Sequence, residues 1–323
     1  MLPPLVFEPL LKRIRWGGRR LGTHLRKPIG DGNDYAESWE IADHGQDNSR
    51  VLGGACTGTT LRQLMQTHPR ELLGQHAGIA QFPLLIKFLD ANDWLSLQVH
   101  PDDNRARLYD PDEKGKTEAW VILDASAESR ICAGLKPGVT GDDLRHGLQT
   151  GNIEELLHLI RVRPGDCLFI PAGTVHALGP GILLAEIQQQ SNLTFRLHDW
   201  GRLDANGRPR EIHIAQSLEC ADFQRGPVDP ITPAEFCDQA HVFEELVRCD
   251  YFVIRRHRSL EPFGISISDR FRILMFLEGG AQVATRGGTV NATIGTTMLI
   301  PAESDHVLIT PECRTQLLEI LCP

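Results

Sequence analysis

The run Gln98-Val99-His100 sets two potential metal donors two residues apart, and along a strand that spacing sends both side chains to one face and Val99 to the other. The apolar Leu95-Ser96-Leu97 before it and the Pro101-Asp102-Asp103 turn after it fit a strand that crosses a core and ends at a rim. A polar strand facing solvent has the same alternation. Glu118, opening the apolar stretch 119–123, and His176, closing a proline-led turn, complete a set of two imidazoles, one carboxylate and one amide. This nitrogen and oxygen set suits one zinc ion with room left for water or substrate, with manganese or iron as alternatives. Closed structural zinc sites usually use cysteine, so a thiol-free set points to an open, catalytic one.

A second polar concentration follows. Alternation between residues 192 and 198 puts Asn192, Thr194, Arg196 and His198 on one strand face, a pattern an exposed edge strand would share.

The elements around these residues read as a β-rich fold. Residues 84–89, 95–100 and 118–123 are short, apolar or alternating, and bounded by turn residues. Helical spacing occurs over 60–73, 141–160 and 212–223, with Gly151-Asn152 splitting the middle segment into two helices. Residues 165–176 align without a gap with residues 295–306: Gly165 with Gly295, Ile170 with Ile300, Pro171 with Pro301, Ala172 with Ala302 and His176 with His306. Each copy reads as a turn, an apolar strand, a proline-led turn and a histidine entering the next strand, the sequence habit of a cupin jelly roll. The expected fold is therefore mainly β: two cupin jelly-roll domains with a helical insertion in the first. The run Gln224-Arg225-Gly226-Pro227 through Pro233 carries three prolines and a glycine and marks the boundary. Residues 1–225 form the expected metal-binding domain, with its helical insertion around 141–160, and residues 226–323 a cupin-like domain without a metal site. His306 stands at the position of His176, but no QxH pair precedes it, and one histidine does not hold a metal.

The chain of 323 residues with 41% hydrophobic content is long enough for two cores. A formal charge of -9 removes general attraction to a phosphate backbone, so nucleic acid is not an expected partner. No secretory signal and no apolar run near the length of a bilayer span appears, so neither does a membrane partner, and a cytoplasmic location is expected. The eight cysteines are scattered without a CxxC pair and read as reduced thiols. No nucleotide-binding glycine-rich loop is present. The sequence leaves the oligomeric state open.

Four spaced runs, Gln98-Val99-His100-Pro101-Asp102-Asp103, Gly115-Lys116-Thr117-Glu118, Pro171-Ala172-Gly173-Thr174-Val175-His176-Ala177 and residues 189–202, resemble in the same order signatures of type I mannose-6-phosphate isomerases. Arg15-Trp16-Gly17-Gly18 and Glu37-Ser38-Trp39-Glu40-Ile41 resemble the opening of the shorter bacterial members, so that the likeness spans residue 7 to the C-terminus. It implies zinc ligation by Gln98, His100, Glu118 and His176, Arg196 as active-site arginine, and Lys87, Lys116 and Glu186 as further pocket residues. The implied substrate is a small sugar phosphate, and the implied reaction interconverts mannose 6-phosphate and fructose 6-phosphate through a cis-enediol. Glu186, Lys116 and His198 are candidate bases by residue type. Lys87 and Arg202 are candidates for the phosphate, and Trp16 for the pocket wall. This chain has Gly115 and Leu178 where longer members carry a histidine and an aromatic residue, which leaves an isomerase of another sugar, or a non-catalytic sugar-binding cupin, as alternatives.

Overall fold

A computed structural model describes residues 1–203, 207–238 and 241–323. Strands dominate it, as the alternating runs require. In the N-terminal half an antiparallel sheet of six strands runs, in spatial order, Cys167–Ile170, Glu118–Ala125, Ile182–Gln189, Leu84–Ala91, Tyr35–Ile41 and Leu10–Gly18. A five-stranded sheet orders Leu157–Arg161, Arg130–Leu135, His176–Leu178, Leu97–Val99 and Phe195–His198. Trp120, Ile122 and Leu168 of the first sheet share one buried cluster with Ile131, Ala133 and Leu178 of the second, so the two stack face to face with the metal-type residues between them.

The C-terminal half repeats this plan. A seven-stranded sheet centred on Arg272–Glu278 and Thr315–Leu321 faces a four-stranded one containing Phe263–Ser266 and His306–Pro311, with Leu274, Phe276, Val283 and Ile309 in the shared core. The sequence repeat becomes a structural one. Cys167–Ile170 pairs with Glu118–Ala125, and Thr297–Ile300 pairs in the same way with Arg272–Glu278. Each apolar strand follows a glycine of positive φ, Gly165 at 95° and Gly295 at 82°. At Gly295 a Cβ would also meet the Leu25 carbonyl oxygen at 2.1 Å, so that turn admits no side chain.

No regular element occurs between Ala221 and Pro233, where the prolines predict a boundary. The halves are nonetheless joined. Leu5–Val6 pairs with Thr297–Ile300, and one buried cluster runs from Phe7, Leu21 and Phe88 to Phe252, Phe271 and Ile320.

The helical expectations need correction. Residues 60–73 form two helices, Leu61–Thr67 and Pro69–Leu73, because Pro69 takes the preceding His68 out of helical conformation. The segment 141–160 holds one α-helix, Gly141–Thr150, ended by Gly151 at φ 79°, then a single 3-10 turn, Ile153–Leu156. Leu157–Arg161 is a strand on Arg130–Leu135: an open sheet edge outweighs the helical spacing of Leu156, Leu157 and Ile160. In the third segment the helix is Ile214–Cys220. A helix not anticipated, Asp103–Tyr109, starts in the supposed turn, with Asp102 as its N-cap accepting from the Arg105 amide at 2.8 Å. Among the described residues no helix is long and apolar enough to cross a membrane, and all eight cysteines are free.

Candidate metal centre and its cavity

Register brings the donors together. On the five-stranded sheet His176 lies opposite Gln98, which has Arg196 on its other side. On the facing sheet Glu118 lies opposite Gln188, and Glu186 opposite both Trp120 and Lys87. The ligand atoms of His100, Glu118 and His176 all lie within 4.8 Å of one another, and all three residues are buried. The Gln98 amide joins them, its Nε2 3.2 Å from Nε2 of His176.

This chemistry fits a bound cation. Nδ1 of His100 donates to the Leu193 carbonyl at 3.0 Å and Nδ1 of His176 to that of Thr174 at 2.9 Å, which turns both Nε2 lone pairs inward. Burial lowers His176 to about 4 and His100 well below the ordinary imidazole value, so both rings are neutral near pH 7. Oε1 of the buried Glu118 accepts no hydrogen bond among the described residues, and Oε2 is paired with Lys116. The two oxygens lie 3.4 Å from Nε2 of His176 and 3.6 Å from Nε2 of His100. Burial raises Glu118 to about 7 against the pull of Lys116, whose Nζ is 3.0 Å from Oε2. One ammonium, at 3.0 Å, is the carboxylate's partner, and the other carboxylate oxygen with the two inward-facing imidazole nitrogens still leaves a buried donor set that a metal cation would complete.

The cluster opens into a cavity of about 440 Å³ whose walls include Trp16, Lys87, Lys116, Glu186 and Arg196. Lys87 and Glu186 are buried and 3.0 Å apart, and the Trp120 indole donates to Glu186 at 3.1 Å. Burial works to raise Glu186, but Lys87 and Lys116 outweigh it and hold the carboxyl at about 2. Burial likewise opposes the Lys87 charge, yet Glu186 and Glu37 carry its pKa above the ordinary lysine value. Lys116 Nζ also reaches Nε2 of His100 at 3.1 Å. Arg196 donates to the Glu211 carbonyl at 2.8 Å, while its Nε is buried without a partner among the described residues.

Two expected residues lie elsewhere. Arg202 does not line the cavity: its guanidinium is taken by Asp199, by the Trp94 carbonyl and, at 3.5 Å, by Asp93. His198 is absent from the lining and packs against Trp200, because the register slips between Arg196 and His198. Two residues that sequence reasoning passed over, Glu37 and Arg210, do line it. Glu37 stands two places from Trp39 on a strand, the same signal that singled out Gln98 and His100. Arg210 sits in a loop and has no such signal. Leu178 is part of the wall. Gly115 has a steric reason: a Cβ there would lie 2.5 Å from the Asp103 nitrogen.

Fold and site together define a β-sandwich protein with a candidate metal centre beside a polar cavity. A model of the type I phosphomannose isomerase catalytic domain matches residues 6–119. Mannose-6-phosphate isomerase ManA of Bacillus subtilis is 34% identical over 302 residues, covering 92% of this chain and 93% of that protein. Mannose-6-phosphate isomerase of Streptococcus mutans is 33% identical over 309 residues, covering 96% and 93%. The crystal structure of mannose 6-phosphate isomerase from Bacillus subtilis superposes with a TM-score of 0.91 at 30% identity, over 98% of this chain and 99% of that one. The chain belongs to the type I mannose-6-phosphate isomerase family, whose members are aldose–ketose isomerases.

Proposed function

We propose that this protein interconverts mannose 6-phosphate and fructose 6-phosphate by metal-assisted proton transfer through a cis-enediol, on a cupin jelly roll formed by residues 1–225 and followed by a second, metal-free one in 226–323. The observation that carries the reading is the buried cluster of His100, Glu118 and His176, whose ligand atoms all lie within 4.8 Å of one another with both Nε2 atoms turned toward the carboxylate. The ligands would be Gln98, His100, Glu118 and His176, and the donor set favours zinc over manganese or iron. A divalent ion held there supplies a Lewis acid toward the oxygens of the sugar.

The chain's own residues account for the rest. Arg196, with a buried Nε free to donate, would bind an oxygen on which negative charge develops. Lys87 is held charged by Glu186 and would bind the anionic end of the substrate, with Arg210, which lines the cavity and is 3.4 Å from Asp199, rather than Arg202, which does not line it, as its second cation. A carboxyl held at about 2 is a weak base at neutral pH, so Glu186 would orient Lys87. Lys116, with its Nζ beside the ligand cluster, is then the proposed proton carrier among the three candidates. Trp16, buried in the wall, would help exclude water from the reacting carbons. A coupled assay with mannose 6-phosphate, glucose 6-phosphate and free mannose tests the reading. The expected result is turnover of mannose 6-phosphate alone, lost on chelation and restored by zinc. Undiminished turnover in fully chelated protein overturns it.

A further inference from the structure

The two halves correspond strand for strand, and the correspondence points to a second cavity. The pairing that sets Glu118 against Ile170 sets Arg272 against Ile300, and the pairing that joins His176 to Gln98 joins His306 to Ser266. Lys87 opposite Glu186 recurs as Arg255 opposite Glu319. Residues 87–100 therefore align without a gap with 255–268, and the four metal-type positions become Ser266, Ser268, Arg272 and His306. The second half keeps the cation–carboxylate pair, with Arg255 3.5 Å from Glu319, and puts a guanidinium where the first half has its ligand carboxylate. A cation at the position of a metal-holding anion reverses the charge the site selects.

The resulting cavity, of about 600 Å³, is lined by Arg248, Arg255, Arg270 and Arg272, with Glu319 as its carboxylate. Glu319 is shared by Arg272 at 2.9 Å, Arg255 at 3.5 Å and His257 at 3.2 Å, and Glu245 serves Arg248 and Arg255 at 2.5 and 3.3 Å. The Arg270 side chain has no hydrogen-bond or ionic partner among the described residues. The Arg272 guanidinium is taken up by Glu319 and by the carbonyls of Ser266, Arg270 and Phe271, and contributes its charge, while Arg270 is the guanidinium open to a ligand. Four guanidiniums facing two carboxylates, in a chain that is net acidic overall, leave a surplus of positive charge that suits an anion. The rim is strained. Ser268 and Asp269 are consecutive non-glycine residues at φ 51° and 57°, held there by the Gln75 amide on the Asp269 carbonyl at 2.9 Å and by Arg70 on its carboxylate at 3.0 Å. His241 and Phe243, stacked with ring centroids 5.9 Å apart, add a flat aromatic wall.

We propose that this cavity is a second ligand site that takes a small phosphate monoester. A phosphoryl dianion carries about two charges and three acceptor oxygens, which guanidinium forks bind in pairs. The aromatic wall faces its organic part. The site is separate from the candidate metal centre and uses none of its residues.

Calorimetric titration of the full, metal-loaded chain with glucose 6-phosphate, adenosine 5′-monophosphate and inorganic phosphate tests this. The expected result is two sites per chain for at least one ester. One should survive Lys87→Ala and weaken roughly ten- to a hundredfold in Arg270→Ala, the loss of one charge-assisted contact. Arg255→Lys, which keeps the charge and loses the fork, should weaken it less than Arg270→Ala. Unchanged metal content identifies the variants as folded. A single site per chain, a second site indifferent to Arg270→Ala, or inorganic phosphate binding as tightly as every ester overturns the proposal.

Discussion

Lys87 and Glu186 face each other across adjacent strands, both buried, with Nζ 3.0 Å from Oε2. Each holds the other in its charged form, so the cavity keeps a fixed ammonium beside a carboxylate that stays ionised far into acid. The sign of its linkage to stability follows. Glu186 titrates at about 2 in the folded protein and at an ordinary carboxylate value when unfolded. Its contribution is complete above the unfolded value and is lost as pH falls toward about 2.

Lys87→Met reverses that sign. Burial then acts on Glu186 unopposed by its nearest cation and raises its pKa, so the variant should lose on the order of a few kcal/mol at pH 7 and recover part of it on acidification toward pH 4. Unfolding midpoints of both proteins across that range, compared at each pH, check it. A parallel pH dependence of the two would show that the pair does not hold Glu186 down.

Glu118→Gln should leave the chain folded while metal content after dialysis falls far below one ion per chain. The amide removes the only full negative charge of the donor set. Elemental analysis alongside thermal unfolding of the metal-free proteins separates the two effects. Glu118→Gln also takes the negative partner from Lys116, 3.0 Å away, so the metal-free variant should unfold somewhat earlier than the metal-free parent while remaining folded at room temperature.

Arg196→Ala should retain the metal content of the parent and lose about a hundredfold or more in turnover, the range for deleting one fixed donor to developing charge. Arg196→Lys keeps the charge, yet should recover little, since the buried Nε belongs to the guanidinium plane. Loss of metal in either variant would make the arginine a support for Gln98, its neighbour in register.

Gly115→Ala places a Cβ within 2.5 Å of the Asp103 nitrogen, backbone that cannot swing away as a side-chain tip would. The segment carrying Lys116 and Glu118 must shift. Stability should fall by about 1–3 kcal/mol, and turnover with it, measured by denaturant unfolding and the coupled assay.

Much of this was readable in the chain because its signals are local. The two-residue spacing of Gln98 and His100 and the repeat of 165–176 at 295–306 depend only on strand periodicity and turn chemistry, and both reappear in the structure. What escaped depends on partners far away in sequence. Arg202 reads as a free cation until Asp199 and the Trp94 carbonyl close around it. Leu157–Arg161 carries helical spacing and becomes a strand because Arg130–Leu135 offers it an edge. The alternation through residue 198 is real, but one slip in register removes His198 from the cavity that Arg196 lines. Leu5–Val6 completes a sheet whose other strands lie over 200 residues further along.

Anomalous diffraction from crystals of the zinc-loaded protein, collected on both sides of the zinc absorption edge, tests the central claim most directly. The account predicts one strong site per chain, within coordination distance of Gln98, His100, Glu118 and His176 and at the floor of the cavity lined by Lys87 and Arg196. A zinc peak outside that cluster, or none there at full occupancy elsewhere, would contradict it.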